Sequence, residues 1–208
     1  MNSLYIKKML GEIQKVKPKI LVFGDIMLDE YIHGQVDRIS PEAPVPILQF
    51  KKRHEVLGGA GNVAHNLINL GAEVEIATII GDDKDGHSVL KLLQALNISF
   101  EKTIKSKNIK TTKKTRFLSN GTQLLRLDND SEGFLIEDLN SFKNKMIKNF
   151  NNFNCIIISD YNKGVCSEKN TQFIIKLAIQ SKIPVYIDPK GPAWDKYKGA
   201  TCITPNTK

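Results

Sequence analysis

The chain has 208 residues, 41% hydrophobic and 25% charged, a balance that excludes a disordered, collagen-like or fibrous protein. No stretch approaches the ~18–20 consecutive apolar residues of a membrane helix, and no apolar run follows Lys7 and Lys8 as it would in a secretory signal. The net charge of +8 suits a solvated lysine face, phosphorylated small molecules or nucleic acid. The densest run (Lys102, Lys105, Lys107, Lys110, Lys113, Lys114) lacks the interleaved aromatics of a strand-stacking platform, so neither nucleic acid nor membrane is expected as a partner.

In chain order, apolar residues spaced three and four apart predict an amphipathic helix over 5–16, ended at Lys17-Pro18. Ile20 to Phe23 reads as a buried strand closed by Gly24-Asp25, with a second extended stretch over 27–32. From His33 to Phe50, Pro41, Pro44 and Pro46 argue against a central strand, although Val45 to Phe50 suits an exposed one. Gly58-Gly59-Ala60-Gly61-Asn62 opens a helix running to Leu70 and stopped at Gly71. Val74 to Ile80 reads as one buried strand, followed by a Gly81-Asp82-Asp83 turn and a helix over 86–96. Strands are expected over 98–103, 113–118 and 123–128, the last two joined at Asn120-Gly121. A helix over 136–150 precedes the most apolar strand, Cys155 to Ser159; a helix over 168–180, a strand over 185–187 and the start of another at Cys202 complete the chain.

This alternation predicts an α/β fold: a parallel sheet with helices on both faces. The segments 33–52 and 104–128 break the pattern and suggest a small β appendage over the sheet's active edge. The final unit opens a βα repeat without completing it, as a partial chain would. Three cysteines without a CxxC pair suit the reducing cytoplasm.

Ligands of open α/β sheets sit at the carboxyl ends of strands, and the polar motifs cluster there. Asp25 and Asp29 follow the first strand, each readable as a sugar-hydroxyl acceptor or a turn residue. The glycine loop is neither GxGxxG nor GxxxxGK[ST] and follows no buried strand directly. It reads as a tight helix-packing turn or as a backbone cradle in which the Asn62 amide meets sugar hydroxyls. Asp160 with Lys163, and Asp188 with Lys190, repeat an acid–base pair past neighbouring strands, which points to a phosphate site. The four histidines have no metal-ligand spacing, and no GxSxG occurs, so neither a protein-bound metal nor a covalent nucleophile is expected.

ILVFGDIMLD at 20–29, the GGAGN loop, the Gly81-Asp82-Asp83 turn and Ile203-Thr204-Pro205-Asn206 together resemble the ribokinase-like (PfkB) sugar kinases along the whole chain. VDRISPEAPVP at 36–46, Lys114-Thr115-Arg116, LRLD at 125–128, SDYNKG at 159–164 and DPKG at 188–191 resemble the D-glycero-D-manno-heptose 7-phosphate kinases within that family. The resemblance implies ATP-dependent phosphorylation of heptose 7-phosphate at C1, with Mg2+ carried by the nucleotide, in ADP-heptose and lipopolysaccharide core synthesis. It also implies a fused adenylyltransferase domain downstream and a homodimer formed through a β lid, here 33–52 and 104–128.

Carried over by motif, Asp29, Gly58, Gly59, Asn62 and Asp160 correspond to sugar-site positions, and Asn206, Thr207 and Lys208 to the start of the nucleotide stretch. Arg116, Lys163 and Lys190 are expected to contact phosphate, on chemical grounds. The family's GAGD motif, whose aspartate is the catalytic base, is absent from these residues, so the chain read as a fragment is expected to be inactive alone. Rival readings are a non-catalytic sugar-phosphate-binding or dimerisation module and a kinase of another sugar.

Overall fold

The computed structural model describes residues 3–130 and 136–206. After helix α1 (Ser3–Val16), strand β1 (Lys19–Gly24) enters the interior, where Leu21, Val22 and Phe23 have no exposed surface. β2 (Ile26–Ile39) follows after one intervening residue, and β3 (Pro46–Gly59) returns beside it in antiparallel register. Helix α2 (Ala60–Asn69) leads to β4 (Glu73–Ala77), β5 (Ile79–Gly81) and helix α3 (Lys84–Ala95). Next come β6 (Ile104–Ser106), β7 (Lys113–Ser119) and β8 (Thr122–Asn129), then helix α4 (Ile136–Ile147) and β9 (Cys155–Ser159). Helix α5 (Glu168–Gln180), β10 (Val185–Asp188) and β11 (Cys202–Ile203) end the order.

The main sheet is wholly parallel, in the order β11-β10-β9-β1-β4. Because its strands are apolar on both sides, each face needs a helical cover. Phe23, Ile156 and Ile158 pack with Phe142 and Met146 of α4 and Ile174 and Ile175 of α5. On the opposite face Val22, Val74 and Ile76 pack with Ala60 and Ala64 of α2 and Val89 and Leu93 of α3. No helix among the described residues is long and apolar enough to cross a membrane.

Four strands form a second sheet, β3-β2-β7-β8. Its extent departs from the expected segments: the strands occupy 26–39, 46–59, 113–119 and 122–129, whereas 104–106 pair with β5 in a separate two-stranded ladder. Prolines interrupt only the turn at 40–45, and Pro46 starts a strand. The apolar run 74–80 is two strands in different sheets, broken at Thr78. Residues 98–103 form no strand; Ser99 makes one isolated bridge to Glu75. The helix expected over 136–150 stops at Ile147, and Asn149 is left-handed at φ 54°. Asn120 and Gly121, at φ 50° and 84°, form the primed turn that a two-residue hairpin favours.

Candidate active site

The two sheets meet at Asp25, the single residue between β1 and β2. Its carboxylate is 1% exposed and accepts backbone N–H bonds from Tyr161 (2.8 Å), Lys163 (3.1 Å) and Val165 (3.0 Å). Burial pushes its carboxyl above the ordinary range, although these bonds oppose the shift. Asp25 therefore shapes the loop after β9 and has no face left for a ligand. Gly59 meets the same point: its left-handed φ of 57° lets the chain turn from β3 into α2, where the Ala60 N–H donates to the Asp25 carbonyl. The GGAGN glycines thus close a strand directly, against the sequence expectation, because residues 50–59 continue β3 rather than forming a loop.

Asp160 lies buried beneath the loop after β9. It is 2% exposed, and its carboxylate accepts bonds from Lys196 Nζ (2.5 Å), the Tyr197 hydroxyl (2.7 Å) and the Asn162 N–H (2.7 Å). Burial works against the Lys196 ammonium, but the bond to Asp160 outweighs it and raises the group above the usual lysine range. Asp25, Asp160 and Cys166 bring three metal-ligating atoms within 4.8 Å of one another. An ammonium and several N–H donors already hold both carboxylates, so the cluster is an ion-pair network beneath the loop and does not fit a cation.

A second charged cluster lies on the second sheet. Asp29 and Arg116, on neighbouring strands β2 and β7, form an ion pair at 2.7 Å with side chains 15% and 20% exposed. Burial opposes the Arg116 charge, and Asp29 more than restores it. Asp29 lies directly over Gly58, whose missing side chain makes room for the carboxylate. Burial first, then the charges of Asp188 and Asp29, raises the Tyr161 phenol above the ordinary tyrosine range. Lys163 joins the loop to the end of the second sheet by an ion pair with Asp130 at 2.6 Å. One face of the second sheet, with Asp29 and Arg116, therefore looks onto the carboxyl edge of the main sheet.

The pfkB family carbohydrate kinase profile matches residues 17–208. The chain belongs to this family. It is 45% identical to the bifunctional protein HldE of Aliarcobacter butzleri, aligned over 92% of this chain and 40% of that protein. To HldE of Campylobacter curvus it is 42% identical, over 92% and 41% respectively. The chain thus spans about 40% of the length of these curated relatives. The fold resembles Escherichia coli phosphofructokinase-2 in its tetrameric inhibited form, with a TM-score of 0.68 at 18% identity, over 90% of this chain and 61% of that one. It also resembles Arabidopsis thaliana ribokinase complexed with ribose and ATP, with a TM-score of 0.64 at 15% identity, over 90% and 60%.

The chain brings Asp29, Gly58, Gly59 and Arg116 together at one end of the second sheet. Asn62 is exposed in the first turn of α2, three residues beyond the β3 end. Lys163 is engaged with Asp130; Lys190 and Asn206 are exposed past β10 and β11, with no side-chain partner among the described residues. Thr207 and Lys208 lie outside the described residues. Sequence reasoning missed Lys196 and Tyr197, in a short helical turn with no motif, and Tyr161, hidden between the two charged residues of its own motif.

Proposed function

We propose that the chain forms the sugar-holding part of an ATP-dependent kinase acting on D-glycero-D-manno-heptose 7-phosphate. The γ-phosphoryl group would pass to the C1 hydroxyl, giving the 1,7-bisphosphate and ADP, with the hydroxyl proton taken by a base. The observation that carries this reading is the Asp29–Arg116 pair: an acceptor for hydroxyls sits beside a fixed cation, suited to a sugar that also bears an anionic group. Similarity to HldE proteins supports the heptose assignment.

Gly58, Gly59 and Asn62 would line the sugar, with Asp160 acting from below by holding the loop of Tyr161 and Lys163. Lys163 and Lys190 would approach phosphate groups. Asn206, with Thr207 and Lys208, would begin the nucleotide site. ATP brings Mg2+, which neutralises charge on the phosphates during transfer. Asp188, half-buried at the end of β10, has the chemistry to meet that ion through water; burial raises its carboxyl, Lys190 lowers it and Asp160 adds to the rise. Asp25 and Asp160 are too committed to serve as the base, so we assign that role outside this set of residues.

We further assign the work to the cytoplasm, in ADP-heptose and lipopolysaccharide core synthesis, beside a fused adenylyltransferase. The second sheet would be the lid, and its outward face, with Phe50, Leu125 and Leu127 at 64%, 60% and 57% exposure, would pair with a second copy. Calorimetric titration with heptose 7-phosphate, ribose and fructose 6-phosphate tests the substrate. Selective binding of the heptose phosphate supports the reading; preference for either other sugar, or equal binding, overturns it.

A further inference from the structure

The side of the second sheet that carries Asp29 also holds a cluster of four planar groups. The Arg116 guanidinium lies 5.2 Å from the centre of the Tyr31 ring. The other face of that ring is stacked on His54, with centroids 4.9 Å apart and planes 4° from parallel. His33, two residues along β2 from Tyr31, also stacks on His54, at 5.1 Å and 22°. Register accounts for the order: Arg116 on β7 and His54 on β3 are the direct neighbours of Tyr31 on the central strand β2.

Arg116 also has a like-charged residue opposite it, Arg126 on β8. Such a pair repels unless each charge has its own partner. Arg126 is held by Asp128 through two bonds of 2.8 and 2.9 Å, leaving Asp29 as the partner of Arg116. A sugar whose hydroxyls donate to Asp29 weakens that anchor just when Arg116 is needed. An arginine side chain released in this way regains rotamer freedom, which opposes binding. The cluster supplies a second hold that the ligand does not compete for.

Resting on the proposed sugar-phosphate kinase reading, we propose that Tyr31 and His54 are positioning residues that keep Arg116 aimed at an anionic group on the substrate and so set its preference for phosphorylated sugars. Tyr31 acts through a cation–π contact, and His54 keeps the Tyr31 ring upright. Neither needs to touch the ligand.

The test compares Tyr31→Ala, Tyr31→Phe, His54→Ala and His54→Phe with the unaltered protein in two measurements. One is calorimetric affinity for heptose 7-phosphate and for the same heptose without phosphate. The other is the order of the Arg116 Nε–H group, read by 15N relaxation without ligand. Tyr31→Ala is expected to weaken the phosphorylated sugar about three- to tenfold, leave the neutral sugar unchanged and loosen the Arg116 Nε–H. His54→Ala, at an exposed position, is expected to act in the same direction more weakly, and both phenylalanine variants to restore the unaltered behaviour. Equal losses for both sugars, or an Arg116 Nε–H as ordered in Tyr31→Ala as before, overturn the proposal. If the unaltered protein binds neither heptose, the substrate reading fails, and the Nε–H measurement alone decides whether the cluster holds Arg116.

Discussion

The carboxylate of Asp29 occupies the space that a side chain at Gly58 would need: a Cβ there would stand 2.4 Å from Oδ2 and 2.7 Å from Met27 Cγ. Gly58→Ala is therefore expected to push Asp29 away from Arg116 and weaken sugar binding more than about tenfold, ~1.4 kcal/mol. Flexible side chains take up most of the clash, so thermal stability should fall only modestly. At Gly59 the obstacle is backbone, the Asp25 carbonyl at 2.3 Å, and φ is positive. Gly59→Ala should lower the melting temperature well beyond Gly58→Ala. Calorimetry and thermal melts of the two variants, measured together, check this contrast.

Replacing Asp25 by asparagine removes an unfavourably buried charge, yet it should destabilise the fold. Both carboxylate oxygens accept N–H bonds, so the new amide must turn an NH2 toward at least one N–H donor. Leaving buried donors unmet costs about 1–3 kcal/mol each, and a loss of about 2–4 kcal/mol is expected in urea unfolding. A variant as stable as the original would show that the loop after β9 does not depend on this acceptor.

Asp83 gives a pH dependence of definite sign. Burial tends to raise its carboxyl, but bonds from the Thr111 and Gly86 N–H groups and the Thr111 hydroxyl together bring it below its ordinary value of 3.8. A carboxyl lowered in the folded state stabilises above its unfolded value, and the contribution disappears as pH falls through the folded one. Asp83→Asn should cost about 1–2 kcal/mol at neutral pH. The gap between variant and original should narrow as pH drops below 3.8. Urea midpoints across acidic pH would reveal a constant gap if the charge were irrelevant.

Lys196→Met leaves the buried Asp160 carboxylate without its cation. Breaking a buried pair from one side costs about 3–5 kcal/mol, so a large loss of stability is expected. Adding Asp160→Asn should recover part of it, since the stranded charge is then gone. Denaturation of the single and double variants measures the recovery.

The parallel sheet was legible because its strands are short apolar runs, such as Ile20 to Phe23 and Cys155 to Ile158, whose burial leaves little choice of location. The motif residues Asp29, Gly58, Gly59 and Arg116 were legible as chemistry, and the structure brings them together. The extent of the second sheet was not, because β3 reads KKRHE over 51–55, with four of these residues exposed and none forming an apolar alternation. The burial of Asp160 was not legible for a different reason. Position after a strand is the same for a ligand-facing and a buried carboxylate, and the residues that bury it, Lys196 and Tyr197, stand 36 and 37 positions away in a stretch without a motif.

Among the described residues, the four strands of the second sheet are rooted at one end, where β2 and β3 meet Asp25 and Gly59, Lys113 bonds to Asp85, and Asp130 bonds to Lys163. The opposite ends are the turns at 40–45 and 120–121. Mechanically this is a cantilever, with an arm of roughly 40 Å at ~3.3 Å per residue. A tilt of about 10° at the root carries the far turn some ~7 Å, while Asp29, four residues from Asp25, shifts by only ~2 Å. Large travel at the tip is thus geared down to near-stillness at the carboxylate.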